Sequence, residues 1–389
     1  MTTATQLLDF LRDRREDLVG FLERLALAES PSASRAAQQP AFGLLADALA
    51  RLSFETRLAP GRASGGQLYA RPRERLRARP IQLLLGHIDT VWPEGTLATM
   101  PVQREGDRLR GPGVYDMKGG LTQIVFALRA LRELGLEAPV TPVVFVNSDE
   151  EIGSRESTRR IRRLARVAHR AYVLEPSLGP DGHLKTARKG IGRFTLTVKG
   201  KAAHAGLNPE AGASAILELS HQIQRLFALN DPVAGVTVNV GMIDGGINPN
   251  VVAPESRAVI DVRVPTHEAA RRVGQAIHGL TPVTPGVSLK IEGALGRPPM
   301  ERTPDGQELW SVAHNLGLEL GLNLEQASAG GGSDGNTTSQ YTATLDGLGP
   351  VGDGAHAHHE FVVVDQLIER TALLALLLLE PPLARPRSA

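Results

Sequence analysis

Apolar stretches alternate with amphipathic segments through the first half of the chain. Leucines recur on one side of a helical repeat at the start, which predicts a helix near residues 5–27, and a second helix is predicted near 40–52. Apolar runs rich in β-branched residues predict buried strands at 81–90, 142–147 and 171–176. A helix running from "DMKGG" to about Leu134 separates two of these strands. Because strands separated by helices are typical of a parallel sheet covered on both faces, we predict an α/β fold.

The pattern changes in the middle of the chain, where strands alternate between apolar and polar residues. "GRFTLTVKG", "VTVNVGMIDG", "SRAVIDVRV" and "VSLKIEG" are such strands, and helical segments follow the first and third of them. This βαββαβ order is that of a ferredoxin-like sandwich. We therefore predict a mostly parallel-sheet main domain formed by residues 1–188 and 298–389, with an inserted domain at 189–297 and "GRPPM" as the return linker.

Composition narrows the class of protein. The formal net charge of +1 gives no overall field for nucleic acid, so we expect no nucleic-acid partner. The longest apolar run, "TALLALLLLE", is too short to cross a bilayer, and the first residues lack a signal-peptide layout. We expect no membrane association and a soluble, cytoplasmic protein. Since the chain has no cysteine, disulfides and thiolate chemistry are excluded, and any metal must be held by histidine and carboxylate groups.

Acids and histidines follow the predicted strands at their carboxyl ends, where ligands gather in open α/β sheets. Five of them lie directly after a strand, namely His87, Asp89, Glu150, Glu151 and Glu175, whereas Asp116 follows a glycine-rich loop just before a helix and His356 lies in a late loop. Each alone has an ordinary explanation, such as a helix cap or a solvated turn, but their coincidence favours one shared site. Two histidines and three carboxylates can bind two metal ions if one carboxylate bridges them. Adjacent residues on a strand point to opposite sides, so Glu150 and Glu151 predict one general base and one ligand, with Asp149 a solvated turn residue.

These segments resemble, in order and spacing, a family of dinuclear zinc metallopeptidases. The family includes glutamate carboxypeptidase, aminoacylase, acetylornithine deacetylase and succinyl-diaminopimelate desuccinylase, and the resemblance is nearest to glutamate carboxypeptidase. It is carried by "GHIDTVWPEG", "GPGVYDMKGG", "NSDEEIGS", "LEPS", "KAAHAGLNPEAGASAI", "GGINPNVVA", "DVRV", "GGGSDGN" and "GAHAHHEFV", over nearly the whole chain. The resemblance implies a catalytic domain with an inserted dimerisation (lid) domain, two Zn²⁺ ions, replaceable in vitro by Co²⁺ or Mn²⁺, and a homodimer formed through the insertion.

The resemblance also implies how the metal ligands divide. His87 and Glu175 would bind one zinc, Glu151 and His356 the other, and Asp116 would bridge the two.

Other roles follow from the same resemblance. Asp89 would hold the imidazole of His87 from behind and fix its tautomer. Glu150 would be the general base. The four-residue gap to the next glutamate favours His356 as the last ligand, although His358 stays an alternative in this histidine-rich loop.

Residues of the inserted domain are implied to contact substrate. His204 would reach the partner subunit's active site and stabilise the oxyanion; the alternative is a surface histidine. Asn250 and Arg263 match positions that face the substrate, and the Arg263 fork suits a carboxylate, unless it lies on the solvated face of its strand.

Further substrate contacts are predicted near the ends of the insertion. Backbone N–H groups at Gly331, Gly332 and Ser333 would suit an anionic group, although a plain glycine-rich turn is the alternative. His183 and Lys185 lie where glutamate carboxypeptidase has a lysine followed by a serine that contact substrate. Because the residues differ here, specificity for glutamate stays open. The pair Arg188–Lys189 is another source of positive charge.

The sequence therefore predicts a zinc-dependent hydrolase that cleaves an amide bond to release a C-terminal or N-acylated amino acid, as glutamate carboxypeptidase does. An N-acyl-amino-acid deacylase, a dipeptidase and an N-carbamoyl-amino-acid hydrolase are alternatives within the enzymes. A non-catalytic peptide-binding relative is the alternative from another class. The expected substrate is a small peptide or N-acyl amino acid.

Overall fold

The computed structural model of the protein describes residues 2–74 and 79–383. Its helices are α1 (Thr3–Asp13), α2 (Arg15–Leu27), α3 (Gln38–Arg51), α4 (Gly119–Glu133), α5 (Thr158–Val167), α6 (Ala215–Phe227), α7 (His267–His278), α8 (Pro304–Glu319), α9 (Gly335–Thr338) and α10 (Val364–Leu379). Its strands are β1 (Phe54–Ala59), β2 (Gln67–Pro72), β3 (Ile81–His87), β4 (Gln103–Glu105), β5 (Arg108–Arg110), β6 (Thr141–Asn147), β7 (Ala168–Val173), β8 (Leu184–Arg188), β9 (Gly190–Lys199), β10 (Thr237–Gly245), β11 (Glu255–Val264), β12 (Ser288–Arg297), β13 (Gln326–Ala329), β14 (Ala343–Leu345), β15 (Gly352–Asp353) and β16 (Phe361–Val363).

The chain divides into two compact units, each with its own hydrophobic core. The first unit contains the described residues up to Thr186, Arg302–Ser328, and the described residues from Ser333 onward. The second unit contains Ala187–Glu301 with the short segment Ala329–Gly332.

The first unit is built on a six-stranded sheet with the order β1-β2-β6-β3-β7-β14. Strand β3 pairs in parallel with β6 and β7, and β7 pairs in parallel with β14, whereas β1 and β2 are antiparallel. Successive residues of β3 serve opposite faces: Leu84 packs in the core with α1, α4 and α10, while Leu83 and Leu85 pack with Ile161 of α5. Both faces of the central strands are thus covered, which explains their unbroken apolar runs and confirms the predicted α/β class.

Three neighbouring strands of this sheet end at one edge. β6, β3 and β7 end at Asn147, His87 and Val173, and their parallel pairing places the residues that follow them side by side. This edge is where ligands bind in open α/β sheets.

The single helix predicted near residues 5–27 is wrong, because the chain leaves the helix at Arg14. The Arg14 backbone has φ −110° and ψ 21°, and its guanidinium donates to the carbonyl of Phe10 at 3.3 Å while lying over the Phe10 ring. This side chain therefore satisfies a carbonyl at the end of α1 and favours a helix end there. The leucine repeat continues across the break, so hydrophobic periodicity alone does not reveal it.

The second unit has the element order βαββαβ, formed by β9, α6, β10, β11, α7 and β12. Its sheet has the order β10-β11-β9-β12 and every neighbouring pair is antiparallel. Both helices pack on one face, where Leu226 of α6 and Ile277 of α7 join the core around Ile260. Strand β10 lies at an edge, and its residues Met242 and Ile243 are largely exposed.

None of the helices in the described ranges is long and apolar enough to cross a membrane.

Candidate dinuclear metal centre

His87 is the buried end of the cluster at the sheet edge. It is the last residue of β3 and its side chain is 1% exposed. Its Nε2 lies 3.2 Å from Oδ1 of Asp116 and 3.6 Å from Oε1 of Glu175. The other ring nitrogen, Nδ1, lies 2.9 Å from the backbone carbonyl oxygen of Asp89. If Nδ1 donates to that carbonyl, Nε2 is left to face a metal ion.

Asp116 stands between the two predicted histidine ligands. It lies in the turn Val114–Lys118, which follows Gly113 and leads into α4. Its Oδ1 faces His87 at 3.2 Å, while its Oδ2 lies 3.6 Å from Nε2 of His356. Each oxygen of one carboxylate thus faces a different histidine, which is the arrangement a bridging carboxylate needs.

Glu151 and His356 form the other end of the cluster. Nε2 of His356 lies 3.1 Å from Oε2 and 3.3 Å from Oε1 of Glu151. His356 has φ +61°, in the left-handed region that non-glycine residues seldom adopt, so its loop holds an uncommon backbone conformation. His358 packs against the ring of Trp92 with 5.3 Å between centroids. The structure therefore places His356, rather than His358, beside Glu151.

Glu150 lies near the His87 end. Ligand atoms of His87, Glu150 and Glu175 all lie within 4.8 Å of one another, as do those of His87, Asp116 and Glu151. The two adjacent glutamates therefore approach His87 in different groups, and their division into general base and ligand stays a prediction.

Asp89 makes more contacts in the cluster than the sequence predicted. Its carboxylate is 3.4 Å from Nδ1 of His87, farther than its own backbone carbonyl. The carboxylate instead accepts the backbone N–H groups of Glu150 and Glu151, each at 3.2 Å, and the hydroxyl of Ser32 at 2.7 Å. The imidazole is thus held mainly by a main-chain oxygen, while the side chain fixes the backbone of both glutamates.

The prediction that Asp149 is a solvated turn residue is wrong. Its side chain is buried, and its Oδ2 accepts the backbone N–H groups of Glu156 at 2.7 Å and Ser157 at 3.3 Å. Burial raises the pKa of Asp149 above its ordinary value. The residue anchors the turn between the glutamate pair and α5.

The electrostatics of the cluster favour added positive charge. Burial raises the pKa of Glu151 to about 7, and the hydrogen bond to Glu151 raises the pKa of His356 to about 9. Burial lowers the pKa of His87, but its contacts with Asp116 and Asp89 outweigh burial and raise it well above the ordinary value. Burial opposes ionisation of Asp116, yet neighbouring cations, His87 foremost, lower its pKa. Carboxylates outnumber the neighbouring cations here, which suits divalent ions.

The donor set fits two divalent metal ions. Two imidazole nitrogens and three carboxylates, with no thiolate in the chain, match the nitrogen and oxygen ligands of catalytic zinc sites. Asp116 offers one oxygen to each half, so five side chains suffice for two positions.

The predicted substrate residues of the second unit fall into two groups. His204 and Asn250 are both exposed. Their loops adjoin, since the N–H of Ala205 donates to the carbonyl of Asn250 at 2.9 Å. Arg263 is half-buried and its fork is already engaged: Nε lies 2.8 Å from Oδ1 and Nη2 3.2 Å from Oδ2 of Asp261. The two guanidinium nitrogens predicted to bind a substrate carboxylate therefore already bind the carboxylate of a neighbouring residue on the same strand.

The glycine-rich segment is divided between the units. Gly331 and Gly332 belong to the second unit, where the Gly331 carbonyl accepts from Nη1 of Arg188 at 3.2 Å. Ser333 belongs to the first unit, is buried, and donates its hydroxyl to Asp346 at 2.5 Å. The helix that follows, α9, has only four residues. Gly331 and Ser333 thus have structural partners of their own, and contact of this segment with substrate stays a prediction.

His183 and Lys185 lie in different surroundings. Nε2 of His183 is 3.9 Å from carboxylate oxygens of Asp181 and Glu325, at partly exposed positions. Lys185 is buried, and its backbone N–H donates to the carbonyl of Asp346 at 2.8 Å. Burial raises the pKa of Asp116, and the two histidines lower it. The positive charge of Lys185 also lowers this pKa, by less than the histidines do, so Lys185 influences the metal centre.

A cluster of two histidines and several carboxylates beside the carboxyl edge of the sheet suits a metal-dependent hydrolase, and comparison with known proteins gives the family of this chain. Residues 83–380 match the model of peptidase family M20/M25/M40, and the chain belongs to that family. It is a metallopeptidase-type amidohydrolase, as the sequence predicted.

Named relatives span several activities. The chain is 29% identical over 303 residues to carboxypeptidase G2 of Pseudomonas sp. (strain RS-16), covering 77% of this chain and 73% of that protein. It is 28% identical over 345 residues to succinyl-diaminopimelate desuccinylase of Delftia acidovorans, covering 82% and 87%. The crystal structure of aminopeptidase PepT from Bacillus cereus has a TM-score of 0.78 at 20% identity, covering 94% of this chain and 98% of that one. The family and the fold are thereby confirmed.

Proposed function

We propose that the protein is a dinuclear zinc hydrolase that releases an amino acid from a small peptide or an N-acyl amino acid, most closely a carboxypeptidase. The observation that carries this proposal is the Asp116 carboxylate, whose two oxygens face His87 at 3.2 Å and His356 at 3.6 Å. The N-acyl-amino-acid deacylase is the second candidate, because one relative is named a succinyl-diaminopimelate desuccinylase.

Five side chains would hold the two ions. In this proposal His87 and Glu175 bind one ion, Glu151 and His356 bind the other, and Asp116 bridges them. Two Zn²⁺ ions, or Co²⁺ or Mn²⁺ in vitro, would polarise the scissile carbonyl and lower the pKa of the attacking water to about 7.

Glu150 would act as the general base. It lies in the His87 group, and Asp89 holds its backbone N–H, so its carboxylate is carried on a fixed segment. It would take a proton from the attacking water and later deliver that proton to the nitrogen of the leaving amine.

The proposal extends to a homodimer formed through the second unit. β10 is an edge strand of the antiparallel sheet, and its exposed Met242 and Ile243 offer an unpaired, apolar edge suited to a second copy. In such a dimer His204 would stabilise the oxyanion in the partner's active site, and Asn250 on the adjoining loop would contact substrate. The cytoplasmic location stays a prediction.

A substrate panel tests the proposal. Metal-free protein is assayed before and after zinc addition on N-acyl derivatives of glutamate, aspartate, arginine and hydrophobic amino acids, and on matching dipeptides. We expect zinc-dependent hydrolysis, and a preference for acidic leaving amino acids would support the glutamate carboxypeptidase branch. A zinc-loaded protein that cleaves none of these amides would contradict the proposed function.

A further inference from the structure

Glu360 is a buried carboxylate that accepts four N–H groups. Oε2 accepts the indole N–H of Trp92 and the backbone N–H of Gly113, each at 3.0 Å. Oε1 accepts the backbone N–H groups of Tyr115 at 2.9 Å and Asp116 at 3.0 Å. The side chain is 1% exposed, so these contacts are made away from solvent.

These donors come from separate parts of the chain that meet at the metal centre. Trp92 lies in the loop after β3, the strand that ends in His87. Gly113, Tyr115 and Asp116 belong to the turn that carries the bridging carboxylate. Glu360 itself closes the loop of His356, where its N–H donates to the Ala357 carbonyl at 3.0 Å.

The main chain of Glu360 strengthens the same link. Its carbonyl accepts the N–H of Gly111 at 3.3 Å, at the start of the Asp116 turn. The His356 loop and the Asp116 turn are therefore joined by both the backbone and the side chain of one residue.

We propose that Glu360 is a positioning residue that sets the separation of Asp116 and His356, and so the affinity of the metal position formed with Glu151. This inference rests on the proposed two-metal function. Glu360 accepts the backbone N–H of Asp116, the predicted bridging ligand. It also lies four residues after His356, the last predicted ligand, in the same loop. Supports of this kind commonly change metal affinity when they are removed.

The requirement is for a carboxylate. All four partners are donors, and an ionised carboxylate is acceptor-only on both oxygens. In Glu360→Gln one oxygen becomes an NH₂ group, which would meet two N–H donors that have lost their acceptor. Aspartate is shorter by one methylene group and would not reach both sides of the turn.

The effect should be selective for one metal position. His87 is held by β3 and by the Asp89 carbonyl, and none of the four Glu360 contacts involves His87 or Glu175. Asp116 is shared by both positions, but its Oδ1 also lies beside the strand-held His87, so loss of Glu360 should loosen the Glu151–His356 position more than the His87–Glu175 position.

Stepwise zinc titration of the metal-free full chain tests this inference. Wild type and Glu360→Gln are compared by calorimetry in a competing chelator, and Co²⁺ absorption spectra are recorded at one and two equivalents. We expect the first equivalent to bind as in wild type and the second to bind about 10- to 100-fold more weakly. The spectral change should likewise be confined to the second equivalent.

Glu218→Gln is the matched control. Glu218 is also a buried carboxylate that accepts backbone N–H groups, from Val283 at 3.0 Å and Thr284 at 2.6 Å, but it lies in the second unit. This variant loses a comparable set of hydrogen bonds without touching a predicted ligand, so both zinc affinities should match wild type.

Several outcomes would overturn the inference. A folded Glu360→Gln protein with two wild-type affinities, or with both affinities reduced equally, shows that Glu360 does not position one metal site. If Glu360→Gln fails to fold, Trp92→Phe decides, since it removes one donor and leaves three. It should weaken the second equivalent alone by about two- to tenfold, and unchanged affinity would overturn the inference. A wild-type protein that binds no zinc would instead overturn the proposed function, and this inference with it.

Discussion

The two histidines of the metal centre occupy contrasting surroundings. His87 is 1% exposed at the end of a central strand, with Nδ1 held by a main-chain carbonyl. His356 is 52% exposed, lies in the loop between β15 and β16, and has a left-handed backbone. One half of the centre is built by the sheet, and the other half is built by loops.

This difference predicts that His87 is held more rigidly than His356. The position of His87 follows from the pairing of β3 with β6 and β7, so it is as rigid as the sheet. The position of His356 depends on side-chain links to a loop. We therefore expect the loop half to bind metal more weakly and to lose it first when metal is withdrawn.

The largest expected effect comes from Glu150, which lies in the His87 half. Glu150→Ala should reduce kcat by about 10²- to 10⁴-fold, because the proton acceptor is lost, while two zinc ions remain bound. Steady-state kinetics with metal analysis of the same sample measures both quantities. Near-normal turnover, or loss of an ion, would show that Glu150 is not the general base.

Removing each histidine tests the contrast directly. His356→Ala should reduce zinc stoichiometry from two to one with little change in the melting temperature of the metal-free protein, because the side chain is half-exposed. His87→Ala should impair both positions, since Asp116 then loses its partner, and should also lower the melting temperature through a buried cavity. Equal effects of the two substitutions on stability and stoichiometry would remove the distinction between the halves.

Asp89→Asn tests how the sheet half supports the glutamates. We expect kcat of the zinc-loaded protein to fall by about 10- to 100-fold, because the carboxylate holds the backbone of Glu150 and Glu151. Ser32→Ala removes only the third donor to this carboxylate and serves as the milder control. If Asp89→Asn altered zinc affinity alone and left kcat of the loaded protein intact, the carboxylate would serve the imidazole instead.

The smallest effect concerns acid stability away from the metal centre. Burial opposes ionisation of Glu218, but hydrogen bonds from Gln222, Thr284 and Val283 outweigh it and lower its pKa to about 2. Because the folded-state pKa lies below the unfolded value of 4.5, this stabilisation is present above pH 4.5 and is lost as the pH falls toward 2.

Denaturant unfolding of metal-free wild type and Glu218→Gln at pH 6 and pH 3 measures this term. The stability difference between the two proteins should be about 1–3 kcal/mol at pH 6 and should shrink at pH 3. A difference that does not depend on pH would show that packing, rather than ionisation, accounts for the loss.

Much of the site follows from local sequence pattern, and the reasons are physical. Parallel strands buried on both faces carry unbroken apolar runs, so the ends of β3 and β6 can be recognised and the acids after them grouped together. Asp116 and His356 do not follow strands of this sheet, and their assignment depended on the family resemblance. The supporting contacts were missed because they join distant residues, as Ser32 does with Asp89, 57 positions later.

The same limit explains the wrong prediction at Asp149 and the contacts of Arg263 and Glu360 that the sequence did not predict. Asp149 was expected in solvent because local pattern does not show that a later turn will cover it and supply N–H groups. Arg263 has the right group for a substrate carboxylate, but its partner Asp261 lies two residues away on the same strand face. In the sequence Glu360 served only to identify His356 by its spacing. Its four N–H donors show that it also joins the loop of His356 to the turn of Asp116.

The first unit is assembled from chain segments on both sides of the second unit, and this has a consequence for biosynthesis. Four predicted ligands have been made once Glu175 leaves the ribosome, but His356 follows 181 residues later, after the whole second unit. At typical elongation rates this delay is on the order of 10 s. During that time α10, which completes the core with α1 and α4, is also absent. A nascent chain would therefore hold an incomplete, strongly acidic cluster, and the Glu151–His356 position would be completed as one of the last steps in making the protein.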